Sequence, residues 1–130
     1  MMHKMSHTSL EETGTCPIAR TAALVGDMWT ILIVRDLMHG PRRFGQLQES
    51  LGNVSPKTLS QRLKMLEHAN ILTRHAYPEI PPRVEYTLTE KGAALSHVIE
   101  AMREFGEAYL VEALPSLEED HFGAVELVGK

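Results

Sequence analysis

The sequence predicts a mainly α-helical domain with one small β-hairpin and a long helix near its C-terminal end. Three observations carry that prediction. Apolar residues recur at three- and four-residue spacing between capping residues, glycines and prolines. Val84, Tyr86 and Leu88 alternate with Arg83, Glu85 and Thr87, the two-residue period of a half-buried strand. The chain has 130 residues, 43% apolar and 23% charged, enough for one core and one domain.

The elements follow in order. Residues 1–14 have no hydrophobic period and are expected as a tail. His3 and His7 stand four apart there, but a tail gives a metal ion no fixed geometry. Ile18, Ala22 and Val25 predict a helix over 17–25, with Pro17 in its first turn and Gly26 at its end. Asp27 is a good N-cap for a second helix, Met28 to His39, apolar nearly all round and so central. Phe44, Leu47 and Leu51 mark a short third helix closed by Gly52. Ser55 as N-cap, Pro56 behind it and a Val54–Leu59 staple open the fourth. Its stripe Leu59, Leu63 and Leu66 faces a core, and Asn70 suits a left-handed cap. Ile71 to Tyr77 and the alternating run to Leu88 form the hairpin, its tip stiffened by Pro78, Pro81 and Pro82. Thr89 caps a long helix from about Glu90 to Leu114, stopped by Pro115; residues 115–130 are an acidic tail.

A short helix, a tight turn at Gly52-Asn53-Val54, a polar-faced helix and a hairpin make a winged helix-turn-helix, occupying residues 15–114. Local charge agrees with a nucleic-acid role. Residues 41–86 hold seven basic and four acidic side chains, whereas residues 87–130 hold three and nine, so the net charge of −4 hides a basic middle. At 100° per residue, the fourth helix turns Lys57, Gln61, Lys64 and His68 away from its leucine stripe. Gln61 matches the paired donor and acceptor of adenine, and Lys57 and Lys64 reach guanine acceptors or phosphates. Ser55 and Thr58 offer hydroxyls near the first N–H groups, which suits a phosphate, and Ser60 on the shoulder of the polar pole is a further DNA-binding candidate. Arg83 at the wing base and Arg42 and Arg43 before the third helix are further phosphate candidates. Arg62 projects near the edge of the leucine stripe, so it ranks below Lys57 and Gln61, with Glu67 or a phosphate as its partner.

These residues also carry a resemblance. Cys16-Pro17, Trp29-Thr30, GPRRFGQLQESLGNVSPKTLSQRLKMLEHANIL and YPEIPPRVEYTLTEKG, in that order and at close spacing, resemble the HxlR family of bacterial winged-helix transcriptional regulators, whose fold is MarR-like. The resemblance spans about residues 15–110. It implies a homodimeric DNA-binding regulator with dimer contacts from the first and last long helices. It also implies Ser55, Lys57, Thr58, Gln61 and Arg62 in the recognition helix and Arg83 in the wing. Met28 departs from the pattern, since many members carry Lys before the Trp; any phosphate contact of that Lys is absent here.

The last helix adds to the dimer expectation. At about 25 residues it would span about 37 Å, more than a small winged helix covers, and Leu95, Val98, Ile99, Met102, Phe105 and Tyr109 would meet a two-fold partner. The one cysteine rules out an internal disulfide framework and suits a reducing compartment. Cys16 opens a helix, where first-turn N–H groups favour a reactive thiolate. It also matches the position of an N-terminal cysteine through which some members sense oxidants or electrophiles, which makes it the redox-sensing candidate. A buried, inert thiol is the bland alternative.

No nucleophile–base pattern, phosphate loop or zinc spacing is present, so no enzyme, cofactor or metal site is expected. No apolar run is long enough for a membrane span or signal peptide, which makes the cytoplasm the expected location. Two alternatives stay open: a winged helix used for protein–protein contact, and a regulator controlled by a small-molecule effector.

Overall fold

A computed structural model describes residues 16–110. The expected tails, with His3 and His7, and the expected helix end at 111–114 lie outside the described residues. The elements are α1 (Pro17–Val25), α2 (Met28–Leu37), β1 (Arg42–Arg43), α3 (Phe44–Leu51), α4 (Pro56–His68), β2 (Leu72–Tyr77), β3 (Arg83–Leu88), α5 (Glu90–Ala93) and α6 (Ser96–Tyr109). The strands form a three-stranded antiparallel sheet of order β1-β3-β2.

Local chemistry sets the helix starts. The Asp27 carboxylate accepts from Thr30 N–H at 3.0 Å, Ser55 Oγ from Thr58 N–H at 3.0 Å, and Thr89 Oγ1 from Gly92 N–H at 3.0 Å. α4 ends as expected: Asn70 has φ +64°, and the Ile71 N–H reaches back to the Leu66 carbonyl at 2.9 Å.

One core unites the elements. Ile33, Val34 and Leu37 of α2 meet Leu47 and Leu51 of α3 and Leu59, Leu63 and Leu66 of α4; Ile71, Leu72, Tyr86 and Ile99 close it from the sheet and α6. Val54 and Leu59, the expected staple pair, are both buried in this core.

Three expectations need correction. α2 stops at Leu37, because Met38, His39 and Gly40 donate back over a tightened turn and Gly40 takes φ +127°. The hairpin gains a third strand, β1, whose Arg42 and Arg43 pair with Tyr86 and Glu85. The long C-terminal helix is interrupted at Ala94–Leu95, leaving a four-residue α5 and a fourteen-residue α6. Just before the break lies Gly92, where any Cβ would collide with the Ile71 carbonyl. The chain hugs Ile71, just before β2, and Leu95 N–H bonds to Gly92 O, three residues back.

Candidate nucleic-acid interface

α3, the Gly52–Ser55 turn and α4 present the expected polar pole. Leu59, Leu63 and Leu66 are at most 2% exposed, which sets the face that α4 turns to the core. Lys57, Gln61, Lys64 and His68 are consequently all exposed, as is Ser55, while Thr58 and Ser60 are half-buried on the shoulders.

The sheet sorts the arginines. Directly paired residues in antiparallel strands share a face, so Arg42, Tyr86 and Arg74 form one row and Arg43, Glu85 and His75 form a row on the other side. The adjacent pair Arg42-Arg43 is therefore split between faces. Tyr86 and Arg74 join Phe44, Ser60, Leu63, Lys64 and Glu67 around a cavity of about 400 Å³ between α4 and the sheet. Lys64 and Arg74 make no ion pair among the described residues. Arg74 was missed by the sequence reasoning; its place opposite Tyr86 depends on strand register, which the sequence pattern leaves open. Arg42 donates to its own Pro41 carbonyl at 3.0 Å.

Two candidate arginines are already engaged. Arg83 donates to Glu79 at 2.7 Å and to Glu85 at 2.8 Å, and lies 3.6 Å over the Tyr77 ring. Its hydrogen bond holds the Glu79 carboxyl below the usual range, and the same contact pushes the Arg83 guanidinium further up. Arg62 reaches Asp27, not Glu67: Nε donates to Oδ2 at 2.9 Å and Nη2 to Oδ1 at 3.2 Å. That hydrogen bond lowers the Asp27 carboxyl and raises Arg62.

A helix-turn-helix with a three-stranded wing is thus in place, and comparison with known proteins agrees. The HxlR-like helix-turn-helix family matches residues 24–114. The chain belongs to this family. It is 47% identical over 100 residues to the HTH-type transcriptional regulator sll1512 of Synechocystis, covering 76% of this chain and 74% of that protein. It is 42% identical over 95 residues to the regulator YodB of Bacillus subtilis, covering 72% and 85%. The reduced form of YodB superposes with a TM-score of 0.65 at 41% identity over 74% of this chain and 95% of that one. The redox regulator HypR in its oxidized form gives 0.68 at 31% identity, over 72% and 96%. This HxlR-family protein is a transcriptional regulator and not an enzyme.

Outside the winged helix, the HxlR-family chain exposes an apolar surface. Ile18 on α1 is 81% exposed, and Met102, Phe105 and Tyr109 on α6 are 52%, 58% and 70% exposed. The Phe105 and Tyr109 rings lie 5.1 Å apart, and Val98 borders apolar hollows on both α1 and α6. Leu95 and Ile99, expected at a dimer contact, instead pack on their own core; Ile99 is 5% exposed. The α6 stripe is about 120° wide on the helical wheel. Its Leu95–Ile99 edge turns inward, while the Phe105 edge does not.

Cys16 is exposed at the N-cap of α1, its Sγ accepting from Ala19 N–H at 3.4 Å. Among the described residues no helix is long and apolar enough to cross a membrane, and no cluster of metal-ligating side chains occurs.

Proposed function

We propose that the protein is a sequence-specific DNA-binding regulator acting as a homodimer on a palindrome-like operator. The exposed row Lys57, Gln61 and Lys64 on α4 carries the reading. Those side chains enter a major groove, with Gln61 at a base edge and the lysines on guanine or phosphate. Ser55, Thr58, Ser60, Arg42 and Arg43 anchor backbone around it. Arg83 joins once a phosphate displaces Glu79. The exposed apolar surface of α1 and α6 supports dimerisation, with Val98, Met102, Phe105 and Tyr109 against the same residues of a second copy.

Cys16 is the site through which DNA affinity responds to oxidants or electrophiles. Its exposure at a helix start supports this, as do relatives whose structures include a diamide-treated YodB, a quinone-bound YodB and an oxidized HypR. The chain has one cysteine, so a disulfide forms only with another molecule, such as Cys16 of the second subunit. Fluorescence anisotropy with DNA from upstream of the protein's own gene, before and after diamide, tests both parts. Tight reduced binding that diamide changes supports the reading. Equal weak binding to upstream and shuffled DNA contradicts its first part, and an unchanged affinity after diamide contradicts its second.

A further inference from the structure

Asp27 sits in the two-residue joint between α1 and α2, helices that meet at 85°. The joint is tight: a Cβ on Gly26 would lie 2.5 Å from the Ala22 carbonyl oxygen. One Asp27 oxygen, Oδ2, accepts from both the N–H and the hydroxyl of Thr30, at 3.0 and 3.3 Å, and Thr30 is wholly buried. A helix cap needs no more than that. Yet the same carboxylate also takes both prongs of Arg62, 35 residues further on and in the middle of α4. Burial of Leu59, Leu63 and Leu66 decides which face of α4 turns inward, and Lys91 Nζ donates to the Ala69 carbonyl at its C-terminal end at 2.8 Å, but non-directional apolar contact leaves a small roll about the helix axis open. A bidentate ion pair is directional.

We propose that Asp27 is a positioning residue for the DNA-reading helix: through Arg62 it fixes the roll of α4 against the α1–α2 joint. Arg62 serves this lock and not a base or phosphate. This rests on α4 being the reading helix. A helix with side chains is about 10–12 Å across, so a roll of about 20° carries a pole side chain about 2 Å, and contacts to bases tolerate about 0.5 Å. The lock therefore governs discrimination more than charge. It also ties α4 to α1, whose first turn is capped by Cys16 through the Ala19 N–H and whose Ile18 lies on the exposed apolar surface. A displacement of α1 reaches the reading helix through this pair.

The test compares the full-length protein with Asp27→Ser, Arg62→Ala and the double variant. Serine retains the α2 cap but cannot hold a guanidinium in two places, so folding survives while the lock is lost. Asp27→Ser is expected to weaken operator binding about tenfold or more, to leave the salt dependence unchanged, and to speed amide exchange across α4 but not β2–β3. The double variant is expected to be no worse than either single one. A Kd for Asp27→Ser equal to that of the parent would overturn the proposal. So would a salt slope flattened by about 0.9 per lost contact in Arg62→Ala, the mark of a phosphate ligand. Exchange separates the two premises. If the parent shows no operator preference, faster α4 exchange in Asp27→Ser sustains the lock while removing α4 as the reader; unchanged exchange removes the lock itself.

Discussion

Lys57 and Lys64 allow a quantitative prediction. Both are exposed on one pole of α4 and lack ion-pair partners among the described residues. Seven residues apart, they stand about 10.5 Å along the helix axis. Replacing both by alanine leaves Leu59, Leu63 and Leu66 buried, so the fold should persist. If each lysine neutralises one phosphate, the dimer loses four contacts, and the slope of log K against log salt flattens by about 3.6. Between 50 and 200 mM salt the parent's affinity should then fall about 150-fold further than the variant's. Anisotropy titrations at four salt concentrations, with circular dichroism as the folding control, read this directly. Parallel slopes for parent and variant would refute the assignment of these lysines to the phosphate backbone.

Four other outcomes follow from the same geometry. Phe105→Glu with Tyr109→Glu should turn a dimer into a monomer in sedimentation, since each buried aromatic contributes about 1.5–3 kcal/mol; a persistent dimer would place the interface elsewhere. Glu79→Gln should remove a competitor for Arg83 and tighten operator binding, and Arg83→Ala should flatten the salt slope by about 1.8 per dimer, two lost phosphate contacts; an unchanged slope in Arg83→Ala would make the Arg83 cluster purely structural. The Asp27 carboxyl is lowered from 3.8 by Arg62, so its contribution to stability is fully present above that value and lost as pH falls through the lower folded value. The difference in urea midpoint between the parent and Asp27→Ser should therefore stay level from pH 8 down to about 5 and close only below about 4; a gap that closes near pH 6 would point to a different group. Cys16→Ser should bind DNA as the reduced parent does and ignore diamide; a retained diamide response would remove Cys16 as the sensor.

What was legible in the sequence is what depends on near neighbours. Asp27, Ser55 and Thr89 cap their helices because each reaches an N–H three residues on, and Asn70 adopts left-handed backbone where the leucine stripe ends. The polar pole of α4 follows from that stripe alone. Features set by distant partners were not legible. β1 exists only because Arg42 and Arg43 find Tyr86 and Glu85 across the sheet. The break before α6 is a tightened turn, Leu95 N–H on Gly92 O, beside a glycine packed against the distant Ile71 carbonyl. The periodicity put Arg62 at the edge of the stripe, which is correct, but its partner lies on another helix. Arg83 was chosen for its charge, and its two carboxylate partners emerge only once the wing closes. Within the candidate interface, then, the sequence indicated which residues face outward, and the structure showed which of their charges are already paired.

The most direct test of the account is anisotropy of the reduced protein on DNA upstream of its own gene against a shuffled duplex, at about 50 and 200 mM salt. The account predicts a preference for the upstream DNA of at least about a thousandfold, which persists at the higher salt while both affinities drop. Equal affinity for the two duplexes, with such an equality repeated across a genome-wide selection of fragments, would contradict it.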